Sequence, residues 1–166
     1  MKKIFSILTI FAMMFLINSC RNDGELAYNG DSLLLFTAPQ SSADVLVLVG
    51  SGSTNYNITF GVAKQVDADS DVTLVVNKTK STAVEGVDYT IASKTMTLKA
   101  GTSTGSFPIK LLEGGAVQSG KKIAFTLTSS TLKSAAFNQN FTINVSLTCP
   151  VSTFVGNFTY TAGFWN

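Results

Sequence analysis

The chain contains no histidine. That single absence removes Ser-His and Cys-His dyads, imidazole zinc sites and the commonest general base. Cysteine occurs twice, at Cys20 and Cys149, too rarely for a disulfide framework, and without an imidazole to activate it Cys149 is a poor nucleophile. Only 13% of the 166 residues are charged and only 3 are proline, which excludes a charge-driven or proline-rich disordered chain. The net charge of +2 comes from Lys2 and Lys3; without residues 1–19 the chain carries 10 basic against 10 acidic residues, so no basic field remains to attract nucleic acid. No helical period is found after the first twenty residues, hence no glycine-rich phosphate loop opening a helix. Two carboxylates would suffice for a glycosidase, but nothing in the sequence sets two acids across a cleft. No enzyme is expected within these residues.

What the chain does have begins at its first residues. Lys2 and Lys3 precede an apolar stretch from Ile4 to Ile17, closed by Leu16-Ile17-Asn18-Ser19-Cys20. The apolar run falls short of the roughly 20 residues that span a bilayer core. Basic flank, short core and terminal cysteine together resemble a bacterial lipoprotein precursor, although Asn18 departs from the usual small apolar residue of the lipobox. The resemblance implies a signal peptide over residues 1–19, cleavage before Cys20 and acylation of its thiol. Residues 20–32 then form a polar tether. Asp23 and Glu25 resemble a weak export signal of surface lipoproteins, and Arg21 stands where an inner-membrane retention signal has aspartate. The expected location is therefore the outer membrane of a Gram-negative bacterium, at its periplasmic face or the cell surface, with the lipid membrane as first partner.

From Leu33 the sequence alternates with period two, which places successive side chains on opposite faces of a strand. Tyr56, Ile58, Phe60 and Val62 share one face; so do Val72, Leu74 and Val76; Phe107, Ile109 and Leu111; Ile123, Phe125 and Leu127; and Phe141, Ile143, Val145 and Leu147. These patterns predict half-buried antiparallel strands. Val45 to Val49 is apolar throughout, predicting a central strand or one covered on both faces. Pro108 lacks an amide donor, so the strand holding it is expected at an edge or with a bulge. Glycine- and aspartate-rich turns separate the runs, and eight or so short strands at this spacing predict an all-β, two-sheet antiparallel sandwich over residues 33–148. Five Asn-x-Ser/Thr triplets read as the polar half of this alternation, not as glycosylation sites.

Ala83-Val84-Glu85-Gly86-Val87-Asp88-Tyr89, then Thr95 to Leu98, Ala100-Gly101 and Phe107 to Leu111 resemble, in order and kind, a Calx-beta domain. The resemblance covers roughly Ala43 to Ser129 and implies an immunoglobulin-like sandwich, some members of which bind Ca²⁺ through acidic loops at one end. Carried over residue by residue, it offers Glu85, Asp88 and Glu113 as metal candidates. The acidic run expected before Phe125 is replaced by Gly120-Lys121-Lys122, and Ca²⁺ takes about 6 to 8 oxygen ligands. Asp88 bonding within its own turn, with Glu85 solvated, is thus the favoured reading, and no cofactor is expected. Asp67-Ala68-Asp69-Ser70-Asp71 opens like a calcium loop but has Val72 and Lys78 where an EF-hand needs glycine and glutamate, so it reads as a polar loop.

Thr148-Cys149-Pro150 breaks the alternation, and a new aromatic pattern follows. Residues 149–166 are either a last strand or the opening hairpin of a second β domain, and the second is favoured because an isolated hairpin is marginal. Tyr160, Phe164 and Trp165 are candidates for stacking on sugar rings, though aromatic residues at such spacing more often serve a core. The functional expectation is a non-catalytic, membrane-anchored module acting as spacer, adhesion or glycan-binding domain, partnered by a glycan or a surface protein. The alternatives are the accessory domain of a surface enzyme whose catalytic part lies beyond residue 166, and a calcium-binding adhesion module.

Overall fold

Alternating valine, isoleucine and phenylalanine against threonine and asparagine gives ten strands in the computed structural model, which describes residues 28–149. They are β1 (Leu33–Phe36), β2 (Ser42–Leu48), β3 (Ser53–Val62), β4 (Ser70–Val76), β5 (Tyr89–Ile91), β6 (Thr95–Leu98), β7 (Thr104–Leu112), β8 (Lys121–Thr128), β9 (Lys133–Ser134) and β10 (Asn140–Thr148). One sheet has the order β5-β7-β3-β1-β9 and the other β2-β10-β8-β4-β6. The sheets face each other across Phe36, Phe60, Phe107, Phe125 and Phe141, all at most 1% exposed. Phe60 stacks on Phe107 at 5.1 Å between ring centroids, and Phe141 lies 5.6 Å from Phe36 and 6.3 Å from Tyr56. Each such phenylalanine contributes roughly 1.5–3 kcal/mol by leaving water. Every residue of the five predicted apolar faces is buried or half-buried.

Three expectations need correction. Val45 to Val49 is neither central nor covered on both faces: β2 is an edge strand, with Val45 and Val47 buried but Leu46 58%, Leu48 44% and Val49 44% exposed. The strand holding Pro108 is flanked by β3 and β5 without a bulge, the register running Phe107↔Ile58, Pro108↔Asn57, Ile109↔Tyr56. Pro108 is tolerated because β5 ends at the Ile91↔Ile109 pair, one residue short of it. Pairing is also not wholly antiparallel, since β2 runs parallel to β10 and β1 parallel to β9. The reason is local: the Thr37 to Ser41 segment, containing Pro39, carries the chain from β1 in one sheet to β2 in the other, where it meets the last strand running the same way.

Helical geometry is confined, among the described residues, to one 3₁₀ turn at Glu113–Gly115. The β2–β3, β4–β5 and β7–β8 connections gather at one end of the sandwich, and the β3–β4, β6–β7 and β8–β9 connections at the other. None of the described helices is long and apolar enough to cross a membrane.

Candidate functional site

Glu85, Asp88 and Glu113 all lie at the first of these ends, and each carboxylate is already engaged. Asp88 opens β5 from the turn Ala83 to Asp88, where its main chain accepts from Leu112 N (2.8 Å) and locks the turn onto the end of β7. Its side chain is 5% exposed; Oδ2 accepts from Val84 N at 2.7 Å, and Oδ1 from Lys121 Nζ at 2.6 Å. A buried carboxylate needs partners for its lone pairs, and here the turn's own amide and a lysine from β8 supply them. Gly115 presses against this group so closely that a Cβ there would collide with the Asp88 carboxylate and the Val87 carbonyl.

Glu113 points the other way. Its two oxygens accept from Gly50 N at 2.7 Å and Gly52 N at 2.6 Å, while Glu113 N donates to Gly52 O at 3.0 Å. Gly50 (φ +84°) and Gly52 (φ +70°) adopt the left-handed backbone that turns both amides toward one carboxylate. The amides of Gly50 and Gly52 hold the Glu113 carboxyl below its ordinary 4.5. Glu85 pairs with Lys94 at 2.7 Å across the surface. Beneath them the Tyr89 hydroxyl is pushed up to about 12, by burial first and by the Glu85 and Asp88 carboxylates second.

The structure therefore brings the three candidate acids to one end but does not make them converge. No group of three or more Asp, Glu, Cys or His side chains placed to hold a metal occurs among the described residues. Asp88 bonding its own turn matches the residue-level reading. Glu85 is bound to Lys94 instead of merely solvated. What sequence reasoning missed is Lys121 as the partner of Asp88; the signal was the lysine standing where the resembled family has an acid. The acids of the Asp67 to Asp71 loop diverge as well: Asp67 faces Lys64 at 3.6 Å, Asp69 takes Lys99 Nζ and Ala100 N, and Asp71 accepts from Thr97 Oγ1 at 2.6 Å. Cys20, Tyr160, Phe164 and Trp165 lie outside the described residues.

A cavity of about 340 Å³ opens beside this end, lined by Val76, Lys78, Ser81, Thr82, Val84 and Tyr89 among others. No buried polar side-chain atom of the described residues lacks a partner. The loops at this end are braced by these contacts.

No protein-family model matches the sequence, and no curated protein does. Solved structures do share its fold. The apo form of the first calcium-binding domain of Calx superposes with a TM-score of 0.53 at 12% identity, covering 72% of this chain and 99% of that one. The fold is Calx-beta-like. Two Bacteroides proteins share it too: a two-domain protein of unknown function from Bacteroides fragilis (TM-score 0.54, 15% identity, 72% of this chain and 46% of that one), and a Bacteroides ovatus protein provisionally named as carbohydrate-binding (0.52, 11%, 69% and 36%). This chain spans less than half the length of either Bacteroides protein. At these identities the likeness establishes the Calx-beta-like sandwich and nothing about its ligand.

Proposed function

We propose that this protein is a lipid-tethered, non-catalytic surface module whose Calx-beta-like sandwich spaces or binds without calcium. The observation that carries the reading is the Lys121–Asp88 pair. At the end of the sandwich where the resembled family gathers acids around Ca²⁺, this chain supplies a cation of its own, covalently attached and 2.6 Å from the carboxylate. A metal entering there would have to displace the lysine, and Glu85 and Glu113 are turned to other partners. The absence of histidine from the whole sequence supports the non-catalytic part of the reading.

The tether rests on the lipobox-like sequence ending at Cys20. Several acyl chains on one cysteine would bind a membrane far more firmly than the marginal hold of a single myristoyl group. Expressed with its leader in a Gram-negative host, the protein should fractionate with the outer membrane and carry acyl mass, and Cys20→Ala should release it. Retention of Cys20→Ala in the membrane at unchanged mass would overturn the tether.

A second reading is favoured by the Bacteroides ovatus neighbour: the module contributes to glycan binding, with Tyr160, Phe164 and Trp165 as stacking residues. Alanine at Trp165 should then abolish retention on a glycan affinity gel that holds the parent chain. An accessory role in a longer surface enzyme is the alternative from another class, since this chain covers less than half of either Bacteroides protein of this fold.

A further inference from the structure

The cavity beside the Asp88 turn is a product of the crossover between sheets. The chain leaves β4 at Val76 in one sheet and enters β5 at Tyr89 in the other, so residues 77–88 span the end of the sandwich. Their course is pinned to β8. Asn77 N donates to Ala124 O at 2.8 Å, Ser81 Oγ accepts from Ala124 N at 2.9 Å, and the amides of Thr82 and Ala83 donate to Lys122 O at 2.9 and 3.1 Å. Asn77 ties the turn from within, its Oδ1 accepting from Thr79 Oγ1 at 2.7 Å and from Lys80 N at 3.2 Å. A loop held at both feet does not collapse onto the strand end, and the cavity of about 340 Å³ is the space it leaves. Preformed ligand pockets of roughly 300–1,000 Å³ begin at this size.

Its lining has two characters. Val76, Ala83, Val84 and Tyr89 are the apolar part, with Tyr89 1% and Val84 56% exposed, so the wall runs from the core to the rim. Lys78, Thr82 and Glu85 are the polar part. Thr82 Oγ1 accepts from Lys122 N at 2.8 Å, a bond that leaves its own proton to donate. The Tyr89 hydroxyl, its titration pushed up to about 12, is a second donor. Charge is one-sided: around this crossover stand Lys78, Lys80, Lys94, Lys121 and Lys122 against Glu85 and Asp88, and Glu113 is turned away to Gly50 and Gly52. Both nearby acids are committed, Glu85 to Lys94 at 2.7 Å and Asp88 to Lys121 at 2.6 Å. Lys78, Lys80 and Lys122, all exposed, make the described part of this surface cationic.

We infer that this cavity takes one acidic sugar unit, its ring against Val76, Val84 and Tyr89 and its carboxylate at Lys78. A pyranose has a face of C–H bonds for the apolar wall and an edge of hydroxyls for Thr82 and Tyr89, and the lysines select the unit that carries a carboxylate. The inference rests on the glycan-binding reading above, names the class of sugar and gives it a place in the described fold.

Isothermal titration of the purified chain with trigalacturonate and with its methyl ester, both in EDTA, tests this. The acid should bind about tenfold more tightly than the ester, which keeps the ring and loses the charge. Lys78→Gln should weaken the acid by about tenfold and leave the ester unchanged. Tyr89→Phe should weaken both by about fivefold, the size of one hydroxyl hydrogen bond, while the cooperative melt at neutral pH persists. Lys110→Gln, the same loss of charge on β7 in the other sheet, should change neither. No binding of the acid, equal affinity for acid and ester, or equal losses in Lys78→Gln and Lys110→Gln would overturn the inference. Its failure is separable from failure of the wider reading: a parent chain that binds no uronate but is held on a glycan affinity gel and released by Trp165→Ala keeps glycan binding and loses this site.

Discussion

The two ends of the sandwich hold their carboxylates in opposite ways. At one end Asp88 is buried and pinned by Val84 N and Lys121, and Glu113 is gripped by two glycine amides. At the other, Asp69 meets Lys99, and beside it Asp31 meets Lys133, through side chains at least half exposed. The distances are nearly equal, 2.6 to 2.7 Å in all three ion pairs. Distance is therefore not what separates them. Water screens the exposed pairs and would solvate either partner if the other were lost, whereas nothing would solvate Asp88.

Replacing Lys121 by methionine should break the comparison most severely. It keeps the aliphatic stem but strands a carboxylate that is 5% exposed, at a cost of about 3 kcal/mol and a fall in melting temperature of roughly 10 °C. A thermal melt of Lys121→Met within 2 °C of the parent would show that both ends are equally superficial.

Tyr89 gives the next effect, in alkali. Its hydroxyl titrates near 10.0 in the unfolded chain and about 12 in the fold, so the folded state holds the proton more tightly. Stability should accordingly be lost as pH rises from about 10 through 12. Denaturant titrations of Tyr89→Phe should show a shallower decline over that window than the parent. Parallel declines would remove burial at this end as the cause.

Glu113 works in acid and more weakly. Because its folded value lies below 4.5, its contribution is present above that pH and fades as pH falls through the folded value. Amide exchange at Gly50 and Gly52 should quicken on acidification beyond the intrinsic rate change, and Glu113→Gln should quicken it already at pH 7. The smallest effect belongs to the opposite end: Lys99→Ala and Lys133→Ala should each leave the melting temperature within 1–2 °C of the parent.

How much of this was legible in the sequence follows the same division. Strand faces such as Phe107-Ile109-Leu111 could be read because alternation is local, each residue reporting its own burial. β2 misled because all-apolar Val45 to Val49 reports hydrophobicity without saying whether the outer face is covered among its neighbours. The acidic turn at Asp88 could be located, but Lys121 is 33 residues away and the glycines gripped by Glu113 are 61 and 63 away. Those pairings are products of topology, and no spacing rule within one strand or turn contains them.

The central claim is that an internal lysine does for this sandwich what a bound cation does for some of its structural likenesses. Melting of the purified chain in EDTA and again in millimolar Ca²⁺ addresses it most directly, since a ligand at a hundred times its dissociation constant adds about 2.7 kcal/mol to stability. The account predicts coincident transitions, within 1 °C. A rise of several degrees with Ca²⁺, absent from Asp88→Asn, would contradict it and return Asp88 to the role of a metal ligand.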